Sequence, residues 1–330
     1  MSRRILLSGN LRNPEFDSES RREGVENLRK FASVDYYTGE LTEDDGPGVV
    51  GVIASSSLIH DGFYEAATDL RIISRWGVGY EKVNLEAAAR HGVMLTIAPE
   101  HMVTVAEYTI AQWMATLKRV YTLNQLSHSG DFSLIRTYEA AETTLGLYGF
   151  GRIGQAVAQR AKPLLGERGR LLVYDVRPDV AELAVRFGAE SVGDPIDLFR
   201  ECDTVSLHVS GADTIVTRDL LNAMQPHASL INPSRGTLVD DVAVNRAIVE
   251  ERLWYYVVDD PVDGPRAIHK GHPRVICTNH NAGMTDASAV RLDHRTFGQI
   301  TDALEGREPP HVINPDVLDH PRVRSFLGRS

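Results

Sequence analysis

Three short stretches of this 330-residue chain carry residue types at spacings that can do chemistry. The first is Thr144-Leu145-Gly146-Leu147-Tyr148-Gly149-Phe150-Gly151-Arg152-Ile153-Gly154, an apolar run that ends in glycines at GxGxxG spacing. It reads as strand, tight turn and helix start. Gly149 permits the turn, Gly151 lets backbone approach a diphosphate, and Gly154 lets the new helix pack closely on the strand. The free N–H groups that open the helix then face the phosphates. Glycines end many strands for purely structural reasons, so the context matters. Residues 170–174 read as a second buried strand ending at Asp175, about 20 residues past the last glycine, where a carboxylate accepts a ribose 2′-hydroxyl. A dinucleotide site is the reading that fits both.

The second stretch is Ser234-Arg235-Gly236, directly after an apolar strand, and the third is Asn279-His280-Asn281-Ala282-Gly283, after another. Ligands collect at the carboxyl edge of a parallel sheet. An Arg there can hold a carboxylate through two parallel hydrogen bonds at any working pH, and a His can give or take a proton near neutrality. A surface Arg after a Pro turn and a polar turn His are the plain alternatives. His208, Asp259 and Asp260 end two further strands and face the same edge in a Rossmann sheet. Gly77-Val78-Gly79 also follows a strand and exposes consecutive N–H groups that can hold a carboxylate; on these residues alone an ordinary glycine turn is preferred. His101, His269 and His272 have no metal-like spacing, so no metal is assigned. A dinucleotide, an anion-binding Arg and a His acid/base together suit hydride transfer to or from a small 2-oxo or 2-hydroxy acid.

The elements that must position these residues alternate from one end of the chain to the other, short apolar strands with amphipathic helices, the pattern of parallel sheets covered by helices. Strands are expected at 4–7, 33–37, 51–53, 70–74 and 93–96, with helices such as 19–31 and 84–90 between them, which makes a small doubly wound domain. Ala98-Pro99 breaks the pattern. A long helix at 105–121 has a length that suits an interdomain connector. From Thr144 the alternation resumes, with strands at 205–209, 229–232, 254–258 and 274–278 completing a six-stranded Rossmann sheet. A helix at 289–305 and a Pro-rich tail follow, and a tail returning to the first domain makes that domain discontinuous. The fold class is therefore α/β, two doubly wound domains, with a Rossmann dinucleotide-binding domain inserted in a flavodoxin-like one.

With 42% hydrophobic residues the chain can bury a large core, and its length favours two domains. A formal charge of −10 argues against nucleic acid or an anionic membrane as the main partner, while a local basic pocket for a small anion stays allowed. Cys202 and Cys277 are too few for a disulfide framework and read as buried, reduced thiols of a cytoplasmic protein. The N-terminus is too quickly polar for a signal peptide, and no apolar stretch is long enough to span a membrane.

The chain resembles the D-isomer-specific 2-hydroxyacid dehydrogenases, a group that includes phosphoglycerate, formate and phosphite dehydrogenases. The resemblance rests on Arg75-Trp76-Gly77-Val78-Gly79-Tyr80, Val105-Ala106-Glu107, the stretch from Gly146 to Gly154, Ile231-Asn232-Pro233-Ser234-Arg235-Gly236-Thr237-Leu238-Val239-Asp240, Asn279-His280-Asn281-Ala282-Gly283 and Val312-Ile313-Asn314-Pro315. It implies a substrate domain of residues 1–104 and 291–330, an NAD domain of residues 105–290, a catalytic cleft at their hinge, and a homodimer. Arg235 takes the place of the substrate-binding Arg and His280 that of the acid/base. Val78 and Gly79 offer backbone donors to the substrate anion. Thr104, Arg152, Ile153, Asp175, His208, Ser234 and Asp259 fall where the family contacts NAD, beside Gly149, Gly151 and Gly154. Asp175 favours NAD over NADP, and Arg177 softens this to a preference.

The departures from the family all line its pocket. The Glu that holds the catalytic His protonated falls at Gly264, and a shifted gap puts Asp263 in its role. If nothing replaces that Glu, the His280 pKa falls, which suits a base and oxidation of the substrate. Ser210 replaces a Pro, His101 stands where formate dehydrogenases have an Asn, and Trp76 is bulkier than the usual residue at the substrate. The leading expectation is an NAD-dependent dehydrogenase of a small anionic D-2-hydroxy acid. The alternatives are NAD-dependent oxidation of formate, phosphite or a phosphonate, and a non-catalytic NAD(H)-binding protein like the family's corepressors.

Overall fold

Among the described residues the strands are short and mostly apolar, and their pairings within the two sheets are parallel, so helices must cover both faces of each sheet. The computed structural model describes residues 2–329 and divides into two compact units. One runs to His101 and resumes at Met284; the other is Met102–Gly283. The boundaries expected at 104/105 and 290/291 thus lie at 101/102 and 283/284.

In the first unit β1 (Arg4–Ser8), β2 (Ser33–Tyr37), β3 (Val49–Ala54), β4 (Ile72–Arg75) and β5 (Met94–Thr96) form a sheet in the order β2-β1-β3-β4-β5. This is the flavodoxin-like order. Two apolar clusters cover its two faces, one around Val52, Phe63 and Leu95, the other around Ile5, Ile53 and Phe297. Phe297 belongs to the helix Asp286–Leu304, which starts from a Thr285 N-cap and packs on β3, β4 and the helix Glu19–Leu28. The returning tail closes the sheet edge: Ile313 N donates to Leu95 O, and the Asn314 amide bonds both Leu95 N and Val93 O.

Two buried polar side chains on that helix are fully engaged. Gln299 Oε1 accepts from the hydroxyls of Ser74 (2.6 Å) and Thr96 (3.0 Å), and its Nε2 donates to Ile97 O and Pro310 O. Asp293 accepts two bonds of 3.1 Å from the Arg21 guanidinium, one from Ser18 Oγ and one of 2.8 Å from Trp76 Nε1. The side chains of this ion pair are 4% and 0% exposed.

In the second unit the strands are β6 (Thr144–Tyr148), β7 (Arg170–Tyr174), β8 (Glu190–Ser191), β9 (Thr204–Leu207), β10 (Ser229–Asn232), β11 (Tyr255–Val258) and β12 (Val275–Cys277). Their order, β12-β11-β10-β9-β6-β7-β8, is that of a Rossmann sheet with the reversal of strand order between β6 and β9. The sheet has seven strands where six were expected. The additional one is the two-residue edge strand β8, polar and exposed, with no apolar pattern to reveal it.

The single helix expected at 105–121 is two helices, Met102–Leu117 and Val120–Ser129, and both lie within the second unit rather than between units. Arg119 breaks them with a left-handed φ of +49°. No Gly or Pro marks this break, because a tertiary contact holds it: the Arg119 guanidinium lies 4.1 Å from the Trp254 ring centre and 5.7 Å from that of Tyr138.

The Arg21–Asp293 pair gives a stability test. Asp293→Ala leaves a guanidinium buried without its counter-charge and should cost about 3–5 kcal/mol, whereas Arg21→Met with Asp293→Leu should recover most of that loss. Urea unfolding followed by circular dichroism reads both; an unmoved midpoint for Asp293→Ala would refute the assignment.

Candidate functional site

The ends of β6, β7, β9, β10, β11 and β12 in the second unit lie on one edge of one sheet, and the residues singled out in the sequence follow those ends. At β6 the glycine turn is tight on one side and open on the other. Gly149 has φ +96°, and a Cβ there would stand 2.5 Å from His208 O. A Cβ at Gly154 would stand 2.3 Å from Gly149 O, so helix and strand meet backbone to backbone. At Gly151 a Cβ would meet nothing within 4 Å. The helix Arg152–Leu165 starts at Gly151 with no side-chain cap and no acid in its first turn, so its N–H groups remain for an anionic ligand. Arg152 is exposed there and Ile153 half-buried.

Asp175 ends β7 and accepts from Phe150 N (2.6 Å) and Arg177 N (3.0 Å), which fixes the carboxylate beside the glycine turn. Arg177 Nε lies 3.5 Å from the same carboxylate. His208 follows β9. Burial pushes its pKa down to about 3, so the ring is neutral, yet neither ring nitrogen has a partner among the described residues. Leaving both unpaired is costly, and a bound ligand's polar groups would satisfy them. Thr104 is buried in the first turn of the helix Met102–Leu117. A tight glycine turn, an uncapped helix start, a fixed ribose-side acid and an orphaned neutral imidazole on one sheet edge fit a dinucleotide.

After β10 the turn is locked by Asn232, whose Oδ1 accepts from Ser234 N and whose Nδ2 donates to Arg235 O. Ser234 Oγ donates to Leu207 O, tying this turn to β9. Arg235 is half-buried, with one guanidinium nitrogen 2.8 Å from Ser234 O.

After β11 come the two consecutive acids. Asp259 is buried and accepts from Thr278 Oγ1 (2.5 Å), Asn281 N (2.8 Å) and Ala282 N (2.7 Å). Its carboxylate thus binds the loop that carries His280, a residue held at a left-handed φ of +58°. Asp260 faces the ring of His280 in that same loop. Its Oδ1 lies 3.3 Å from His280 Nδ1 and its Oδ2 accepts from Gly236 N (2.5 Å). The hydrogen bond from Asp260 raises the His280 pKa above its ordinary 6.5, against opposing effects of burial and of the Arg235 charge. Burial acts to raise the Asp260 pKa, but its bonds to His280 and Gly236 and the charge of Arg266 bring it below the usual carboxylate range.

Two expectations are corrected here. The structure does not bring Asp263 to His280: its side chain is 73% exposed and lies 3.8 Å from Arg266. The partner of His280 is Asp260, noted in the sequence as a strand-end acid but given no role. With a carboxylate in place, the expected fall in the His280 pKa does not occur, and the argument for oxidation drawn from Gly264 loses its premise.

Three expected site residues lie in the first unit. Among the described residues the N–H groups of Val78 and Gly79 have no acceptor, which leaves them for an anion. Trp76 commits its one polar atom to Asp293, and its ring packs on the apolar cluster around Ile5, with Arg21 5.5 Å from its centre. Its main role is therefore in the core of this unit rather than as a polar contact to substrate. No group of His, Cys, Asp and Glu among the described residues could hold a metal ion, and no helix is long and apolar enough to cross a membrane.

Comparison with known proteins agrees with this geometry. Residues 110–282 match the D-isomer specific 2-hydroxyacid dehydrogenase, NAD binding domain. The chain is 30% identical over 328 residues to a D-3-phosphoglycerate dehydrogenase of Synechocystis sp., covering 92% of this chain and 57% of that protein. It thus spans little more than half the length of that relative. It is 29% identical over 271 residues to a glyoxylate reductase of Korarchaeum cryptofilum, covering 77% of this chain and 79% of that protein. A solved structure of the TT0316 protein from Thermus thermophilus superposes with a TM-score of 0.80 at 26% identity, covering 94% of this chain and 99% of the other. That of a D-2-hydroxyisocaproate dehydrogenase, at 19% identity, shares the fold with a TM-score of 0.78 over 94% and 99% of the two chains. With its Rossmann unit, its NAD-binding domain match and its strand-end residues in place, the chain belongs to the D-isomer-specific 2-hydroxyacid dehydrogenase family.

Proposed function

We propose that this protein interconverts a small 2-oxo acid and the corresponding D-2-hydroxy acid with NAD(H), and that its chemistry is set for reduction of the oxo acid. The observation that carries this reading is His280 held by a carboxylate at the same sheet edge as Arg235. When bound, the nicotinamide supplies or accepts the hydride. The protein's own residues do the rest. Arg235 holds the substrate carboxylate through its guanidinium. With Nδ1 tied to Asp260, the Nε2–H of His280 is the proton that goes to the carbonyl oxygen as it becomes a hydroxyl. A raised pKa keeps that proton on the ring at neutral pH, which favours a proton donor. Asp175 receives the adenosine ribose, and the N–H groups at the start of the helix Arg152–Leu165 receive the diphosphate. Glyoxylate, the oxo acid in the names of several relatives, is the first substrate to test.

We also propose a homodimer. Phe132 and Leu134, in an irregular segment of the second unit, are 81% and 99% exposed, an apolar pair that a second copy of the chain would cover.

NADH oxidation with a panel of 2-oxo acids tests the activity. Arg235→Ala should lower kcat/KM by roughly 100-fold or more, since it removes charge-assisted bonds to the substrate; unimpaired turnover would sink the assignment. Because reduction needs protonated His280, its rate should be level at acid pH and fall as pH rises through a midpoint above 6.5. Oxidation of the hydroxy acid should show the opposite limb. Phe132→Ser with Leu134→Ser should shift the protein toward monomer in light scattering after gel filtration, and an unchanged mass would remove this pair from the interface.

A further inference from the structure

The family's His partner reaches it from a Glu further along the loop, at the place this chain fills with Gly264, which takes a left-handed φ of +49° and opens the short 3-10 turn Gly264–His269. The carboxylate that faces His280 here comes instead from the residue next to Asp259, two residues past the end of β11. That change of origin has structural consequences. Two residues from the strand's end and bonded through one oxygen to Gly236 N, this carboxylate is held close to the sheet edge.

Asp260 also touches more than His280. Its second oxygen accepts from Gly236 N, the residue directly after Arg235. Behind it lies Arg266, 8% exposed, whose Nη2 is 3.9 Å from Asp260 Oδ2 and whose Nε donates to Pro261 O. The guanidinium lies flat on Gly236, where a Cβ would come within 2.0 Å of Nη1. Arg266 is in turn faced by Asp241 at 3.9 Å and Asp263 at 3.8 Å, and Asp241 bonds His269. The charged groups that act on His280 within this unit are thus Asp260 and Asp259 from the bend after β11 and Arg235 from the turn after β10, with Arg266 acting only on Asp260.

We propose that Asp260 is the positioning residue of this enzyme: one carboxylate oxygen orients and keeps protonated the His280 ring while the other fixes the backbone that carries Arg235, so the proton donor and the substrate anion site share one anchor. This deepens the reading of His280 as the acid/base and rests on it. Asp263 has no part in it and serves as the control. Arg266 keeps Asp260 ionised without itself touching His280.

The arrangement makes a statement about the wild-type protein that no variant is needed to check. A neutral His280 whose Nδ1 faces a carboxylate must carry its proton on Nδ1, the less common tautomer of a free imidazole. Nitrogen-15 spectra of histidine-labelled, cofactor-free protein should therefore show His280, assigned through its backbone resonances, as the Nδ1–H tautomer above its titration midpoint. The Nε2–H tautomer would overturn the proposal.

The charge is tested by Asp260→Asn, whose amide oxygen can still accept from Gly236 N. The His280 midpoint should move toward acid by about one pH unit, and the falling limb of the reduction rate should move with it. Asp263→Asn should move neither. Asp260→Glu should restore part of the midpoint shift. A midpoint that Asp260→Asn leaves in place, or that Asp263→Asn moves equally, would overturn the role of Asp260. The outcomes separate from those of the broader reading: absence of any 2-oxo acid turnover refutes the proposed activity, while the tautomer and titration of His280 are read without substrate or cofactor.

Discussion

Two adjacent carboxylates just past the end of β11 hold the chemistry of this protein together, because each engages a different part of the loop that carries His280. Asp259 turns inward and accepts three hydrogen bonds, from Thr278 and from the backbone of Asn281 and Ala282. These bonds tie the loop after β12 to the buried end of the sheet on either side of His280, whose backbone is left-handed. Asp260 meets the His280 ring and the Gly236 backbone. One residue thus builds the loop and its neighbour sets the protonation of what the loop carries.

The glycine turn shows the same division between tightness and space. Gly149 and Gly154 are confined by backbone oxygens at distances no side chain tolerates, and their crowding is what brings the helix start against the strand. A Cβ at Gly151 would meet nothing within 4 Å, and the helix it opens has neither a capping side chain nor an acid to compete for its N–H groups. The turn is therefore compressed where the protein meets itself and open where a diphosphate would lie. His208 extends this edge with a ring that burial keeps neutral, so it can offer one donor and one acceptor to a ligand without adding charge.

In the first unit, stability and site architecture meet at Asp293. The buried Arg21 pair, the Ser18 hydroxyl and the Trp76 indole all converge on this carboxylate, from the helix that follows the inserted unit. Four donors on two oxygens leave the buried charge well satisfied, which is the condition under which such a pair can persist in a core. Trp76 is large because it completes this cluster, and a bulky residue at that position in the sequence therefore says little about substrate size.

The sequence by itself determined the class of the protein: alternation of apolar strands and helices, the GxGxxG turn with Asp175 behind it, and Arg235 and His280 after strand ends are local patterns, and local patterns survive in a linear string. The order of the strands, the two-residue strand β8 and the break at Arg119 were decided by tertiary structure. An exposed edge pair carries no apolar signature, and a left-handed Arg is held by the rings of Trp254 and Tyr138, one of them far along the chain. The partner of His280 was likewise a tertiary matter. Spacing along the chain pointed to the neighbours of Gly264, but which carboxylate reaches an imidazole depends on how the loops fold against one another, and only the folded bend after β11 brings Asp260 to that ring.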